Sequence, residues 1–384
     1  MTTRRLCIMR QMAETKSSSR LLTFDLMRGY FMVAIILNHL QWYPSGLDWV
    51  SAQGALFVSA AEGFFLISGI ILGIIRGRKL IAAPFKKAAS LLLKRGVQLY
   101  IASVALMLIF TLVGWWFFME NQGLKPGIRP IDQPFLQVLW GALTYEYIYG
   151  WADFLRLYAI FLLASPLALW LLRIRKWYVL LTLNVLVWAL FPFATGLPYS
   201  NELLMPISWQ LIFFGGMTIG FYWKNIVEWW QQRAHILRSV IVKSIVTLAI
   251  ATILTNVLIA MHSLFPAFIG EPLNALRLAL EPYFTKESLP IPRLALFALW
   301  FSFGFWLFHT FEKSIVKYFG WILIPFGVNS LYVYILHAFL VFFAQLLLQG
   351  ATPPFIFSLL GSLTILGLIL LAIRTQFLMK IIPR

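Results

Sequence analysis

Long apolar runs broken by short polar segments dominate this chain. A run of about 20 apolar residues is what a helix needs to cross the hydrocarbon core of a bilayer. Ten such runs lie near residues 21–41, 55–75, 97–118, 153–172, 177–197, 207–223, 239–260, 292–311, 328–348 and 353–373. The pattern predicts an all-α, polytopic integral membrane protein of about ten transmembrane helices. It divides the chain into a basic tail over 1–20, one membrane domain over 21–374 and a short tail over 375–384.

The polar segments carry the second signal. Arg4, Arg5, Arg10, Lys16 and Arg20 precede the first run, and Arg76, Arg78, Lys79, Lys86, Lys87, Lys94 and Arg95 separate the second from the third. Arg173, Arg175 and Lys176 follow the fourth run; Lys224, Arg233, Arg238 and Lys243 follow the sixth. Lys313 and Lys317 follow the eighth, and Arg374, Lys380 and Arg384 end the chain. The facing segments hold only Lys125, Arg129, Arg277, Lys286 and Arg293. Basic residues stay on the cytoplasmic side, so both termini are expected inside, which requires an even number of spans. Residues 1–20 contain neither an apolar core nor a small-residue cleavage site, so no cleaved signal peptide is expected.

Composition agrees with this class. The 384 residues are 61% hydrophobic and 12% charged, against about 25% charged in a soluble domain. A net charge of +17 would suit a nucleic-acid partner if it lay on one soluble face. Here it is spread between apolar runs, so the expected partners are membrane lipids and not nucleic acid. Cys7 is the only cysteine. It has no disulfide mate and no metal-ligand spacing, and no metal is expected.

Two connections on the outer side are long. Residues 119–152 carry Pro126, Pro130 and Pro134 and an aromatic run of Tyr145, Tyr147, Tyr149 and Trp151; residues 262–291 carry four prolines with Glu271, Glu281 and Glu287. Long loops are often functional, so these either cover an outward-facing groove or simply connect helices. No internal repeat is visible, which weakens a transporter built from inverted halves.

Ionisable groups inside a span are costly and usually face a partner or a cavity. The first run contains Asp25, Arg28 and, eleven residues later, His39. Asp25 and Arg28 are one turn apart and able to pair. Eleven residues is about three turns, so Arg28 and His39 share a face with an axial separation of about 16 Å. A permanent cation thus stands near the cytoplasm and a titratable base near the exterior; an interfacial ion pair with a belt histidine is the plainer alternative. Glu62, near the outer end of the second run, is the expected partner of the His39 ring, and Ser68-Gly69 follow it. Asp153, Arg156 and Tyr158 open the fourth run, as acceptor-facing groups or as interfacial anchors. Trp209 and Gln210 lie in the sixth run, and Asn329, Tyr332 and His337 in the ninth.

The Asp25-x-x-Arg28 and His39 set resembles the acyltransferase-3 superfamily of membrane acyltransferases. The Phe-Phe-Leu-Ile-Ser68-Gly69 segment resembles that superfamily's second-helix motif. Ala60-Ala61-Glu62, Asp153-Phe-Leu-Arg156-Leu-Tyr158, Ile207-Ser208-Trp209-Gln210-Leu211 and the late Asn329-to-His337 segment resemble one branch, the OpgC-like succinyltransferases of osmoregulated periplasmic glucans. The chain departs from the branch pattern where Val58-Ser59 replaces an acidic residue and where Arg156 replaces a proline. The resemblance implies a bacterial inner-membrane enzyme that uses cytoplasmic acyl-CoA, acetyl-CoA or succinyl-CoA, to acylate a hydroxyl of a periplasmic glycan. It implies that His39 is catalytic with Glu62 beside it, and that Arg28, with Asp25 and Ser68, helps hold the donor. Asp153, Arg156, Tyr158, Trp209 and Gln210 become acceptor- or acyl-binding candidates. A transporter or flippase, or an acyltransferase acting on a sugar amine or a lipid-linked polysaccharide, are the competing readings.

Overall fold

The computed structural model describes residues 22–117, 120–196, 201–380 and 382; the basic tail over 1–20 lies outside them. Regular structure among the described residues is helical throughout. The long helices are α1 (Leu22–Leu40), α2 (Ala60–Leu72), α3 (Phe85–Phe117), α4 (Asp153–Arg173), α5 (Trp177–Ala189), α6 (Asn201–Phe221), α7 (His235–Ala260), α8 (Ile291–Thr310), α9 (Glu312–Val328), α10 (Ser330–Leu347) and α11 (Phe355–Thr375).

Nine of the described helices are long and apolar enough to cross a membrane. The chain is therefore a multi-pass, all-α membrane protein. Helix α1, the first expected span, is not among the nine. Its 19 residues reach about 28 Å, close to the roughly 30 Å hydrocarbon core, but Asp25, Arg28, Asn38 and His39 dilute its hydropathy. The span that falls short in hydropathy is the one with the candidate chemistry.

Three elements differ from the sequence reading. Helix α3 starts at Phe85 rather than 97 and runs for 33 residues, about 50 Å. Its first turns mix Lys86, Lys87, Lys94 and Arg95 with alanine and leucine, all good helix formers, although they do not read as an apolar run. The segment after the eighth run, expected to be a connection, is helix α9. Both its ends meet the N-terminal half of α1: Thr23 Oγ1 donates to Glu312 Oε2 at 2.6 Å, and Leu323 and Gly327 pack on the Asp25–Gly29 backbone. It lies across that half instead of running the length of α1. The long outer connections are also partly helical, over Phe135–Thr144 and Ala267–Leu280. Each helix opens just after a proline, Pro134 or Pro266, whose fixed φ suits a chain entering a helix.

Inside a bilayer the hydrophobic effect does not draw apolar helices together, so close packing must. Gly69 of α2 and Gly73, which follows its last turn, face Gly216 and Gly220 of α6, each pair four residues apart. A Cβ on any of them would strike a carbonyl oxygen of the other helix: Phe213, Met217, Leu66 and Ile70, respectively. Helices α1 and α9 meet in the same manner at Gly29 and Gly327. Helix α10 is among the well-enclosed ones, with Tyr332, Tyr334, His337 and Val341 at 0% exposure. Helices α7 and α8 are the opposite case; only 11% of each apolar window is buried.

Candidate active site

Helices α1 and α10 carry the centre of the site. Arg28 and His39 reach the same neighbour, as their shared face requires. Arg28 Nη2 donates to Ser330 Oγ at 2.7 Å and to the Gly327 carbonyl. At the other end of α1, His39 Nδ1 and His337 Nε2 are 2.9 Å apart. Gln345 Nε2 donates to the His39 carbonyl at 3.0 Å, tying the two helices together there.

The hydrogen bonds determine the tautomers. His337 Nδ1 faces the Tyr334 carbonyl, which only accepts, so Nδ1 carries a proton. In a neutral ring Nε2 is then the acceptor. His39 Nδ1–H therefore donates to it, and the lone pair of His39 is on Nε2. That is the orientation a base or nucleophile needs.

The two long connections close over this ring. Trp151 stacks on His39 with centroids 4.2 Å apart and planes 14° apart. Lys125 Nζ lies 4.5 Å from the centroid of the Trp151 ring and donates to the Gly150 carbonyl at 3.2 Å. Tyr145 is held to α3 through Ser103 at 2.6 Å, and Tyr147 through Thr111 at 2.8 Å. Burial pushes the Tyr145 phenol up to about 12, so it stays protonated at neutral pH and serves as a hydrogen-bonding strut. The second connection brings Lys286, whose charge together with that of Lys125 lies within electrostatic reach of His39 and Asp153.

The Arg28 end opens into a cavity of about 480 Å³. Among the described residues four cations line it, Arg28, Arg76, Lys94 and Arg95, together with Ser68, Gln98, Tyr158 and Ser330 and without a carboxylate. Between this cavity and His39 stands a chain of packed rings. Tyr158 touches Phe65 with centroids 6.3 Å apart, Phe65 touches Phe154 at 4.5 Å, and Phe154 touches Tyr334 at 4.8 Å. Tyr334 reaches His337 at 4.6 Å.

The full-length match to a family model decides the relationship: residues 20–381 match the OpgC protein family. The chain belongs to the OpgC family. No curated protein and no solved structure matches it.

Within this OpgC-family chain the structure redistributes several sequence candidates. Glu62 is not the partner of His39. Its carboxylate accepts from Arg293 Nε at 2.7 Å and from Arg293 Nη2, and from the Ser59 backbone N–H at 3.1 Å, where it completes a capping box at the start of α2. Glu62 is fully buried, and a buried carboxylate takes the nearest cation, which lies on α8. Tyr158 faces the cationic cavity and not the outer lid. Ser68 lines the same cavity as Arg28. Asp153 accepts from Tyr334 Oη at 3.4 Å, close to the two histidines.

Other candidates have structural partners. Arg156 is buried at 3% exposure and donates to the Leu203 carbonyl at 3.3 Å. Trp209 Nε1 donates to the Lys286 carbonyl at 3.0 Å and so anchors the second connection. Gln210 braces α5 through the Asn184 carbonyl at 2.7 Å. Asn329 caps the end of α9 through the Pro325 carbonyl, and Tyr332 donates to the Phe377 carbonyl. Sequence reasoning missed Arg293, Trp151, Lys125 and Lys286 as site groups, and counted Arg76, Lys94 and Arg95 only as topology signals. Arg293 had a visible signal: it is a lone cation entering an apolar run, while Glu62 enters another on the same side.

Proposed function

We propose that this chain is a transmembrane acyltransferase of the bacterial inner membrane, with both termini in the cytoplasm, that moves an acyl group from cytoplasmic acyl-CoA to a hydroxyl of a periplasmic glycan. One observation carries the reading. A single helix presents Arg28 to a four-cation cavity and, about 16 Å further along, a histidine whose free Nε2 sits under an outer lid. OpgC-family membership agrees with it.

The phosphates of the donor suit Arg28, Arg76, Lys94 and Arg95, since guanidinium groups bind phosphate through forked hydrogen bonds. The Arg28–His39 rise is comparable to an extended pantetheine arm, which would bring the thioester towards His39. In the direct route His39 Nε2 takes the proton of the acceptor hydroxyl as its oxygen attacks the thioester carbonyl. The C–O bond forms, the C–S bond breaks, and the coenzyme thiolate leaves and regains a proton from the imidazolium. In the two-step route Nε2 itself takes the acyl group and passes it to the hydroxyl. His337 orients the ring in both. Lys125 and Lys286 near His39 favour an acyl group with its own carboxylate, succinyl over acetyl.

The experiment is the release of free coenzyme A by purified protein given succinyl-CoA or acetyl-CoA with a glucan, followed by mass analysis of the glucan. A succinylated product supports the reading. Protein that consumes neither donor while remaining monodisperse would exclude it.

A further inference from the structure

A second cavity, unrelated to the donor site, lies behind α1. It measures about 440 Å³ and is bounded by α1, the 49–63 segment, α7 and α8. On α1 its wall is Met27, Tyr30, Phe31, Ala34 and Asn38. At 100° per residue this stripe lies about a third of a turn from the Arg28–His39 face. Across the gap stand Ile253 and Val257 of α7 and Phe297, Phe301, Gly304 and Leu307 of α8.

Three features say what occupies it. First, the lining is apolar along its depth, and the Tyr30 hydroxyl already donates to the Val50 carbonyl at 2.8 Å. Apolar cavities do not hold water. Second, the depth from Met27 to Asn38 is about 16 Å, close to the half-thickness of a hydrocarbon core of roughly 30 Å. Polar groups gather at one end only, around Asn38, Ser51 and Ser59, beside an exposed Trp49 of the sort that marks a membrane interface. Third, the outer wall is the sparsely buried α7–α8 pair, joined by Trp300 Nε1 donating to Thr252 Oγ1 at 2.9 Å. It stands off the bundle and opens the space to the membrane around it. A Cβ at Gly304 would meet only the tip of Met27, so the gap is open at its deep end.

We propose that this crevice binds one acyl chain of an ordinary bilayer phospholipid, with the headgroup at the Asn38 end and the chain terminus near Met27 and Leu307. The chain backs α1 on a neighbouring face, about a third of a turn from its chemistry. The Asn38 carbonyl oxygen Oδ1 accepts from Tyr43 Oη at 3.0 Å, which leaves the amide N–H donors for the headgroup.

The test reconstitutes the protein in phosphatidylcholine vesicles doped with phosphatidylcholine that carries a photoreactive diazirine at one chain end. After irradiation, crosslinked residues are mapped by mass spectrometry. Crosslinks should concentrate on Met27, Gly304 and Leu307. They should fall to the level of the outward-facing Leu254 and Leu258 in Gly304→Leu, which fills the crevice, and independently in Val257→Phe. Label confined to outward faces in the wild type, or crevice labelling that survives in both folded variants, would overturn the proposal. A polyprenyl phosphate that displaces the label when an equal amount of unlabelled phosphatidylcholine does not would overturn the assignment to a bilayer phospholipid. None of these readouts depends on acyl transfer, so failure here is distinct from failure of the enzymatic reading.

Discussion

Replacing His337 by leucine removes the acceptor for His39 Nδ1–H while keeping a side chain of similar size in a fully enclosed position. A buried donor left without a partner costs about 1–3 kcal/mol. At about 1.4 kcal/mol per decade of rate, kcat should fall roughly 5- to 150-fold, either by misorienting the ring or by letting it adopt the tautomer whose lone pair faces the leucine. His337→Gln retains an oxygen acceptor near the Nε2 position and should recover most of the loss. The KM for acyl-CoA should not move, because the cationic cavity lies at the other end of α1. The assay is steady-state release of coenzyme A with glucan present, on protein shown to be monodisperse. His39→Ala sets the floor, about 10²–10⁴-fold down for a missing general base, and adding His337→Leu to it should cost nothing more because the two residues act as one unit. Wild-type kcat in His337→Leu, equal defects in the leucine and glutamine variants, or a further fall in the double variant would each refute the tautomer argument.

Arg28→Lys and Arg95→Ala should both weaken acyl-CoA binding by calorimetry, since forked phosphate contacts are lost; unchanged affinity in both would remove the cavity from the mechanism. Glu62→Gln or Arg293→Gln should each destabilise the protein by about 3–5 kcal/mol, because breaking a buried pair strands a charge; thermal unfolding in detergent reads this, and a stable Glu62→Gln protein with a selective kcat defect would return Glu62 to the chemistry. A reporter fused after Arg384 should read as cytoplasmic, and a periplasmic signal would contradict the assigned orientation. Lys125→Ala should lower transfer of succinyl more than of acetyl, as judged by kcat/KM for the two donors; equal losses would leave the acyl carboxylate without its proposed partner.

Much of the architecture was legible because membrane spans are written as apolar length, and the bilayer enforces that code strictly. The face shared by Arg28 and His39 was equally legible, since helical periodicity alone determines it. Pairing between helices distant in sequence was not. Glu62 could be seen to need a partner, but whether that partner was His39 or Arg293 depends on how α2 sits against α8, which no local pattern encodes. His337 looked like a packing histidine because its role depends on which of its nitrogens faces the Tyr334 carbonyl. The cations of the cavity were hidden by a stronger signal: Arg76, Lys94 and Arg95 satisfy the topology rule so well that nothing in the sequence sets them apart. Helix α9 was missed because its charged first turn and short apolar end match no spanning pattern.

The glycine contacts determine what can move. Where α2 meets α6 and α1 meets α9, backbone rests on backbone, and no side chain lies between them to swing aside. Those helices cannot part or slide without losing their contact altogether. On the proposed acyl-transfer reading, an acyl chain travelling from the cationic cavity to His39 would not pass by the bundle opening at these seams. Along the line from that cavity to His39 stand the packed rings of Phe65, Phe154 and Tyr334, side chains that would have to turn about their own χ angles to let it through. The gate expected on that reading is a set of turning rings in a fixed frame, with aromatic rotation and not helix displacement governing the rate of passage.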